Sequence, residues 1–147
     1  MKIIDYWNSF IEKEPSFKDS TYDFWSYGVE ADTLASLTVD GTKTATASLF
    51  DLYELEKENL PKTGQISIIL DSTDTKPICI IQTTKISIVP FRDVDEKHAF
   101  KEGEGDRSLA YWQDVHRTFF SECVKNTSLV FTDDSLVVLE EFEVIYR

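Results

Sequence analysis

The chain has 147 residues, 41% of them hydrophobic and 13% aromatic, enough apolar surface for one ordinary core without a metal or disulfide staple. Its 27 acidic and 15 basic side chains leave a formal charge of -12, which disfavours long nucleic acid, DNA included, because a net anion gains nothing by counterion release. No apolar run reaches the roughly 18 residues that a membrane span needs, and the start Met1-Lys2-Ile3-Ile4-Asp5 lacks the core of a signal peptide, so the expected location is the cytoplasm.

In chain order, Ile3, Ile4, Trp7, Phe10 and Ile11 recur at three- and four-residue steps and predict a short amphipathic helix that stops before Pro15. The aromatic but aperiodic stretch Thr21 to Gly28 reads as a loop packed over something. A second helix is expected from about Val29 to Val39, with Ala31, Leu34, Ala35 and Leu37 inward and Asp40-Gly41 as its stop. Extended structure then begins near Lys43, where Thr44, Thr46 and Ser48 alternate with Ala45, Ala47 and Leu49. The acidic run Tyr53 to Glu58 leads through the turn residues Pro61 to Gly64 into a strand over Ile66 to Leu70. A polar connection at Ser72 to Lys76 precedes a long strand from Ile78 to Val89 that Pro90 closes. A short helical piece lies between Phe91 and Gly105, and Asp106 is the expected N-cap of a longer helix with Leu109, Trp112, Val115, Phe119 and Cys123 as its inward stripe. A last strand runs from Leu136 to Tyr146, with a bulge expected at Glu140-Glu141 where the alternation slips. The class is α+β around a small mixed or antiparallel sheet, in a single domain over 1–147 with a helical extension over about 1–20. No repeat, linker or low-complexity segment interrupts it.

Two stretches are candidates for chemistry. In Gly41-Thr42-Lys43-Thr44-Ala45-Thr46-Ala47-Ser48 a helix stop hands over to a strand that opens on a Lys among hydroxyls and small Ala residues, which leaves room for a ligand. A regular strand would point Lys43 and Thr46 to opposite faces, so a shared site requires a kink or a strand start between them. The plain alternative is an exposed Lys before a Thr-rich edge strand. In the stretch from Glu96 to Ser108, which contains Glu102-Gly103-Glu104-Gly105-Asp106-Arg107, two glycines allow close backbone approach to a ligand and the following helix N-terminus favours an anion, and the alternative is a solvated acidic turn with Asp106 as cap. His98 and His116 have no paired-ligand spacing, so no resident metal or other cofactor is expected, although Glu102, Glu104 and Asp106 offer oxygens to a transient divalent ion. Cys79 and Cys123 read as buried, reduced thiols. Phe24, Trp25, Tyr27, Tyr111 and Trp112 either pack in the core or stack a base.

The Gly41 to Leu49 string, Phe24-Trp25-x-Tyr27-Gly28, Ile88-Val89-Pro90-Phe91, and Glu102 to Leu109 followed by Tyr111-Trp112-x-x-Val115-His116 together resemble bacterial ASCH-domain proteins, from about Phe24 to Tyr146. The resemblance implies a small PUA-like mixed or antiparallel β-barrel with flanking helices and a cleft for a nucleoside or short RNA. Some members of the family are amidohydrolases that remove the acetyl group of N4-acetylcytidine with a Lys, a Thr and a Glu. On this chain those fall on Lys43, Thr46 and, after Glu96-Lys97-His98-Ala99, on Glu102, with Glu104 an alternative two residues on. Phe24, Trp25, Gly41, Ser48, Glu104, Arg107 and Ser108 form the expected ligand-binding set. Other relatives are reported as ribonucleases, with the same Lys and a downstream Ser for which Ser108 is the candidate.

The enzyme reading implied by the resemblance has Lys43 accept the Thr46 proton as Thr46 attacks the amide carbonyl. Glu102 orients Lys43 or protonates the leaving amine, and the amides around Gly103 and Gly105 hold the oxyanion. Arg107 holds a ribose or phosphate, or else pairs with Asp106 or Glu104. The competing reading is a non-catalytic RNA-binding module linked to translation. A third is an interaction domain that forms a homodimer through Phe24 and Trp25.

Overall fold

The computed structural model describes all 147 residues. Helix α1 (Ile3–Lys13) ends at Glu14, where Pro15 opens a 3-10 turn over Pro15–Phe17. Its Trp7 and Phe10 are buried against Ile66, Ile68, Leu70 and Ile80 of the sheet. Ile4, expected inward from its spacing, is instead 51% exposed, because a helix touching a sheet along one line buries a narrower stripe than the spacing alone suggests.

The segment expected as a loop contains a strand, β1 (Asp23–Trp25), which pairs in parallel with β3 (Ile66–Leu70) through Asp23 and Ser67, Phe24 and Ile68, and Trp25 and Ile69. Three residues carry no alternation to detect, and the strand exists only because β3 offers its edge. Helix α2 (Ala31–Asp40) starts two residues later than expected, because Glu30 takes a left-handed φ of 48°. Gly41, at φ 87°, closes it. Strand β2 (Ala45–Leu49) follows, and then α3 (Phe50–Leu55), a short helix that the acidic composition concealed.

Strands β4 (Pro77–Pro90) and β5 (Leu136–Tyr146) complete a curled five-stranded half-barrel in the order β1-β3-β4-β5-β2, antiparallel except at β1. The architecture is α+β. The expected bulge at Glu140-Glu141 lies elsewhere: β5 pairs with β2 without a break from Val137 to Glu141. The extra residues are Thr84 of β4, between the Thr83–Phe142 and Lys85–Glu141 pairs, and Ile145 near the end of β5. Each bends the sheet toward closure.

Helix α4 (Glu96–Glu102) is capped by Asp95, whose side chain accepts from the His98 N–H. Helix α5 (Leu109–Val124) is capped by Ser108 and not by Asp106, whose carboxylate accepts the Ser108 N–H instead. The buried face of α5 is Trp112, His116, Phe120 and Val124, one residue on from most of the expected stripe. Val115, Phe119 and Cys123 are only half-buried and turn toward a groove, because α5 carries two apolar stripes and only one meets the sheet. Cys79 is buried, as expected, but Cys123 is not, and both are free thiols. No helix is long and apolar enough to cross a membrane.

Candidate functional site

A groove of about 1250 Å³ opens between the two edge strands of the half-barrel. Residues of β1 and of β2 form its rims, and Val115, His116 and Phe119 of α5 lie along it. At one end sits a buried charged cluster built from two distant stretches of chain.

The first stretch is the link from α2 to β2. The Thr42 N–H donates to Asp40 Oδ1 (2.8 Å) and the Lys43 N–H to the Leu37 carbonyl (3.0 Å), so the link is fixed before the strand begins. The second stretch is the end of α4. Gly103 stands at φ 75°, and a Cβ there would lie 2.6 Å from the Thr42 carbonyl oxygen, so only glycine lets the two stretches touch. The Thr44 N–H donates to the Lys101 carbonyl (2.7 Å). Arg107 donates to the carbonyls of Phe100 (3.0 Å) and Thr42 (3.4 Å), with its guanidinium 3.5 Å above the Phe100 ring.

Between these stretches Lys43 is 1% exposed. Its Nζ donates to Glu104 Oε2 (3.0 Å), to Glu102 Oε1 (3.4 Å) and to the Glu102 carbonyl (3.4 Å), and lies 5.3 Å from the Tyr27 ring centre. Glu102, also 1% exposed, is the hub. Its Oε2 accepts from His98 Nε2 and from Trp112 Nε1, both at 2.6 Å, and its Oε1 faces His116 Nε2 at 3.4 Å. Burial alone would push this carboxyl up, but the Lys43 charge and the His116 and His98 hydrogen bonds outweigh it and hold Glu102 well below the usual carboxylate range. His116 is held in turn: its Nδ1 donates to the Trp112 carbonyl at 2.9 Å, and its ring stacks on Trp112 at 4.2 Å. Tyr27, hydrogen-bonded to Thr38, has its phenol pushed up by burial.

Ligand atoms of Glu102, Glu104 and His116 lie within 4.8 Å of one another, a spacing that suits a cation. Lys43 already supplies it. An ammonium 3.0 Å from Glu104 would repel a divalent ion at the same point by several kcal/mol even when partly screened, on the order of 4 kcal/mol per unit charge at 4 Å, so the donor set fits Lys43 better than a metal.

The strand start at Ala45 falls between Lys43 and Thr46, and both side chains line the groove, together with Glu102 and Glu104. Phe24, 54% exposed, and Trp25 line it from β1. Ser48 lines it with its hydroxyl 2.7 Å from that of Tyr53. Gly41, Arg107 and Ser108 lie off the groove, in the α2 cap, the loop clamp and the α5 cap. The Gly103 N–H donates to the Phe100 carbonyl, which leaves it no part in an oxyanion site. Sequence reasoning missed that His98, His116 and Trp112 bind Glu102. The i,i+4 spacing of His98 and Glu102 was the one signal available for it.

A family model described as "ASCH domain" matches residues 23–146, most of the chain. The chain belongs to the ASCH family. Among solved structures, the ASCH domain of Lactobacillus crispatus JV V101 is similar at 35% identity and TM-score 0.88, covering 95% of this chain and 91% of that one. A protein from Enterococcus faecalis V583 is similar at 38% identity and TM-score 0.86, covering 99% of this chain and 93% of that one. A hypothetical protein at 19% identity and TM-score 0.55 shares the fold alone. No curated protein matches the chain. In this ASCH domain the family match begins at the first residue of β1, so α1 lies outside it although it packs into the core.

Proposed function

We propose that this ASCH protein is an amidohydrolase acting on an acyl amide of a nucleoside-like substrate, of the N4-acetylcytidine type. One observation carries the reading: Lys43, buried between two carboxylates, faces the same groove as the Thr46 hydroxyl. Thr46 Oγ attacks the carbonyl carbon, and its proton passes to Glu104, the carboxylate of the cluster that keeps some contact with water. Lys43 Nζ, which donates to Glu104 at 3.0 Å, turns that hydrogen bond to the oxyanion as Glu104 takes up the proton, the part expected of the loop amides. The C–N bond then breaks, the amine leaves with a proton, and water hydrolyses the Thr46 ester to acid and free hydroxyl. Glu102 is a positioning residue. With donors on both oxygens and a depressed carboxyl, it orients Lys43 and has no proton to give.

Purified protein incubated with N4-acetylcytidine is expected to release cytidine and acetate, and Lys43→Ala and Thr46→Ala are each expected to lose at least about 100-fold in kcat/KM. Absence of cytidine with stoichiometric enzyme would remove the reading.

A second reading, an oligonucleotide-binding module, is favoured by the size of the groove, which exceeds the roughly 300–1,000 Å³ of small-molecule pockets and has Phe24 and Trp25 on its rim. Micromolar binding of short RNA at low salt without turnover would put it first. The ribonuclease variant of that reading lacks its Ser, because the Ser108 hydroxyl accepts the Tyr111 N–H at the start of α5, away from the groove.

A further inference from the structure

Glu140 lines the same groove and takes part in none of the hydrogen bonds of the Lys43 cluster. It lies on β5 as the Cα partner of Thr46 on β2. Residues directly opposite across an antiparallel pair point to one face with Cβ atoms about 5 Å apart, so the Glu140 and Thr46 side chains leave neighbouring points of one face, and both line the groove. The Thr83 hydroxyl donates to Glu140 Oε2 at 2.6 Å and fixes the side chain. Its Oε1 has no hydrogen-bond partner in the protein and is not sealed from the groove.

No cation accompanies this carboxyl: Glu140 is in no ion pair, whereas its neighbour Glu141 meets both Lys85 and Lys101. Burial pushes the Glu140 carboxyl up, Thr83 offsets part of this, and the nearby Asp23 charge adds to it. A half-buried carboxyl anchored on one oxygen, open on the other and lacking a counter-ion is costly to maintain for packing alone. Its free oxygen is suited to accept a hydrogen bond from a neutral N–H donor in the groove.

We infer that Glu140 is the specificity residue of this groove, its Oε1 accepting the N–H of the substrate's amide and, after cleavage, of the exocyclic amine of an aminopyrimidine. The inference rests on the amidohydrolase reading for the identity of the ligand. The spacing suits it: the amide nitrogen is about 1.33 Å from the carbonyl carbon, so Thr46 Oγ on the carbon and Glu140 Oε1 on the N–H straddle one planar group. An ester offers no such donor, so the same contact selects amides.

The test is isothermal titration of wild type, Glu140→Ala and Glu140→Met with cytidine and with pyrimidin-2-one riboside, a neutral analogue lacking only the 4-amino group. Wild type is expected to bind cytidine about tenfold more tightly than the analogue, within the range of one well-placed buried hydrogen bond. Both variants are expected to bind the two ligands within about twofold of each other. If the Glu140 variants unfold, Thr83→Val, which leaves the carboxyl present but unanchored, is expected to shrink the preference about threefold. The inference is overturned if wild type shows no preference, if the Glu140 variants, or Thr83→Val in their place, keep the full preference, or if neither nucleoside binds wild type at about 10 mM. A preference that disappears in Glu140→Ala, alongside no turnover of N4-acetylcytidine, keeps the inference and removes the hydrolase. Turnover with the preference intact in Glu140→Ala does the reverse.

Discussion

Replacing Lys43 with Met keeps most of the stem volume and deletes the ammonium, which leaves Glu102 and Glu104 facing each other without the cation between them. Removing one partner of a buried pair destabilises by about 3–5 kcal/mol. The lower end applies here, because Glu102 keeps His98, Trp112 and His116 as donors and Glu104, 18% exposed, can rehydrate. A loss of about 3 kcal/mol in a domain of this size lowers Tm by about 6–12 °C. Lys43→Met with Glu102→Gln removes the orphaned charge as well and is expected to recover at least about 1.5 kcal/mol, a coupling typical of groups in one network. Urea unfolding followed by tryptophan fluorescence reads both, since Trp112 donates directly to Glu102. The deficit of the single variant should also shrink between pH 7 and pH 5, as burial drives the orphaned Glu102 to take up a proton. A single-variant loss below about 1 kcal/mol, or a double variant as unstable as the sum of the two singles, would refute the account of Glu102 as a charge held by its donors.

Gly103→Ala forces a Cβ to within 2.6 Å of the Thr42 carbonyl oxygen at a left-handed φ. It should cost about 2 kcal/mol or more and loosen the Lys43–Glu104 contact, which a urea midpoint and the loss of hydrolysis would register together. Glu140, with its carboxyl raised above the ordinary value of 4.5, binds its proton more tightly folded than unfolded. Its stabilising contribution is therefore complete below pH 4.5 and is lost as pH rises through the folded value. Glu140→Gln has no such titration, so the difference in Tm, variant minus wild type, should rise between pH 4 and pH 8, and a difference that stays flat or falls would contradict the burial argument.

Elements whose burial follows from a run of side chains were legible in the sequence. Ile66 to Leu70 is apolar because every residue of β3 is buried, and Pro77 and Pro90 bound β4 where a missing N–H does least harm. β1 was not legible, because three residues become a strand only by finding a neighbour's edge. In α5 two apolar stripes competed, and nothing local says that Phe120 is buried in the core while Phe119 is left half-buried. The meeting of the Lys43 and Glu102 stretches was implied by the resemblance to the family and by nothing in either stretch alone. The grip on Glu102 was not, because it depends on an indole N–H and on an imidazole from a helix turn further along. Arg107, read as a ribose or phosphate ligand or a partner of Asp106 or Glu104, donates to two backbone carbonyls, a use that leaves no trace in charge or spacing.

Helix α1 precedes the span shared with relatives, yet its Trp7 and Phe10 cover four isoleucine and leucine side chains of β3 and β4. A recombinant fragment trimmed at residue 23 to fit the family boundary would bare that greasy patch on the sheet. It would invite the molecules to clump, and because Phe17, Ser20, Thr21 and Tyr22 line the groove, it would strip part of the groove's wall at the same stroke.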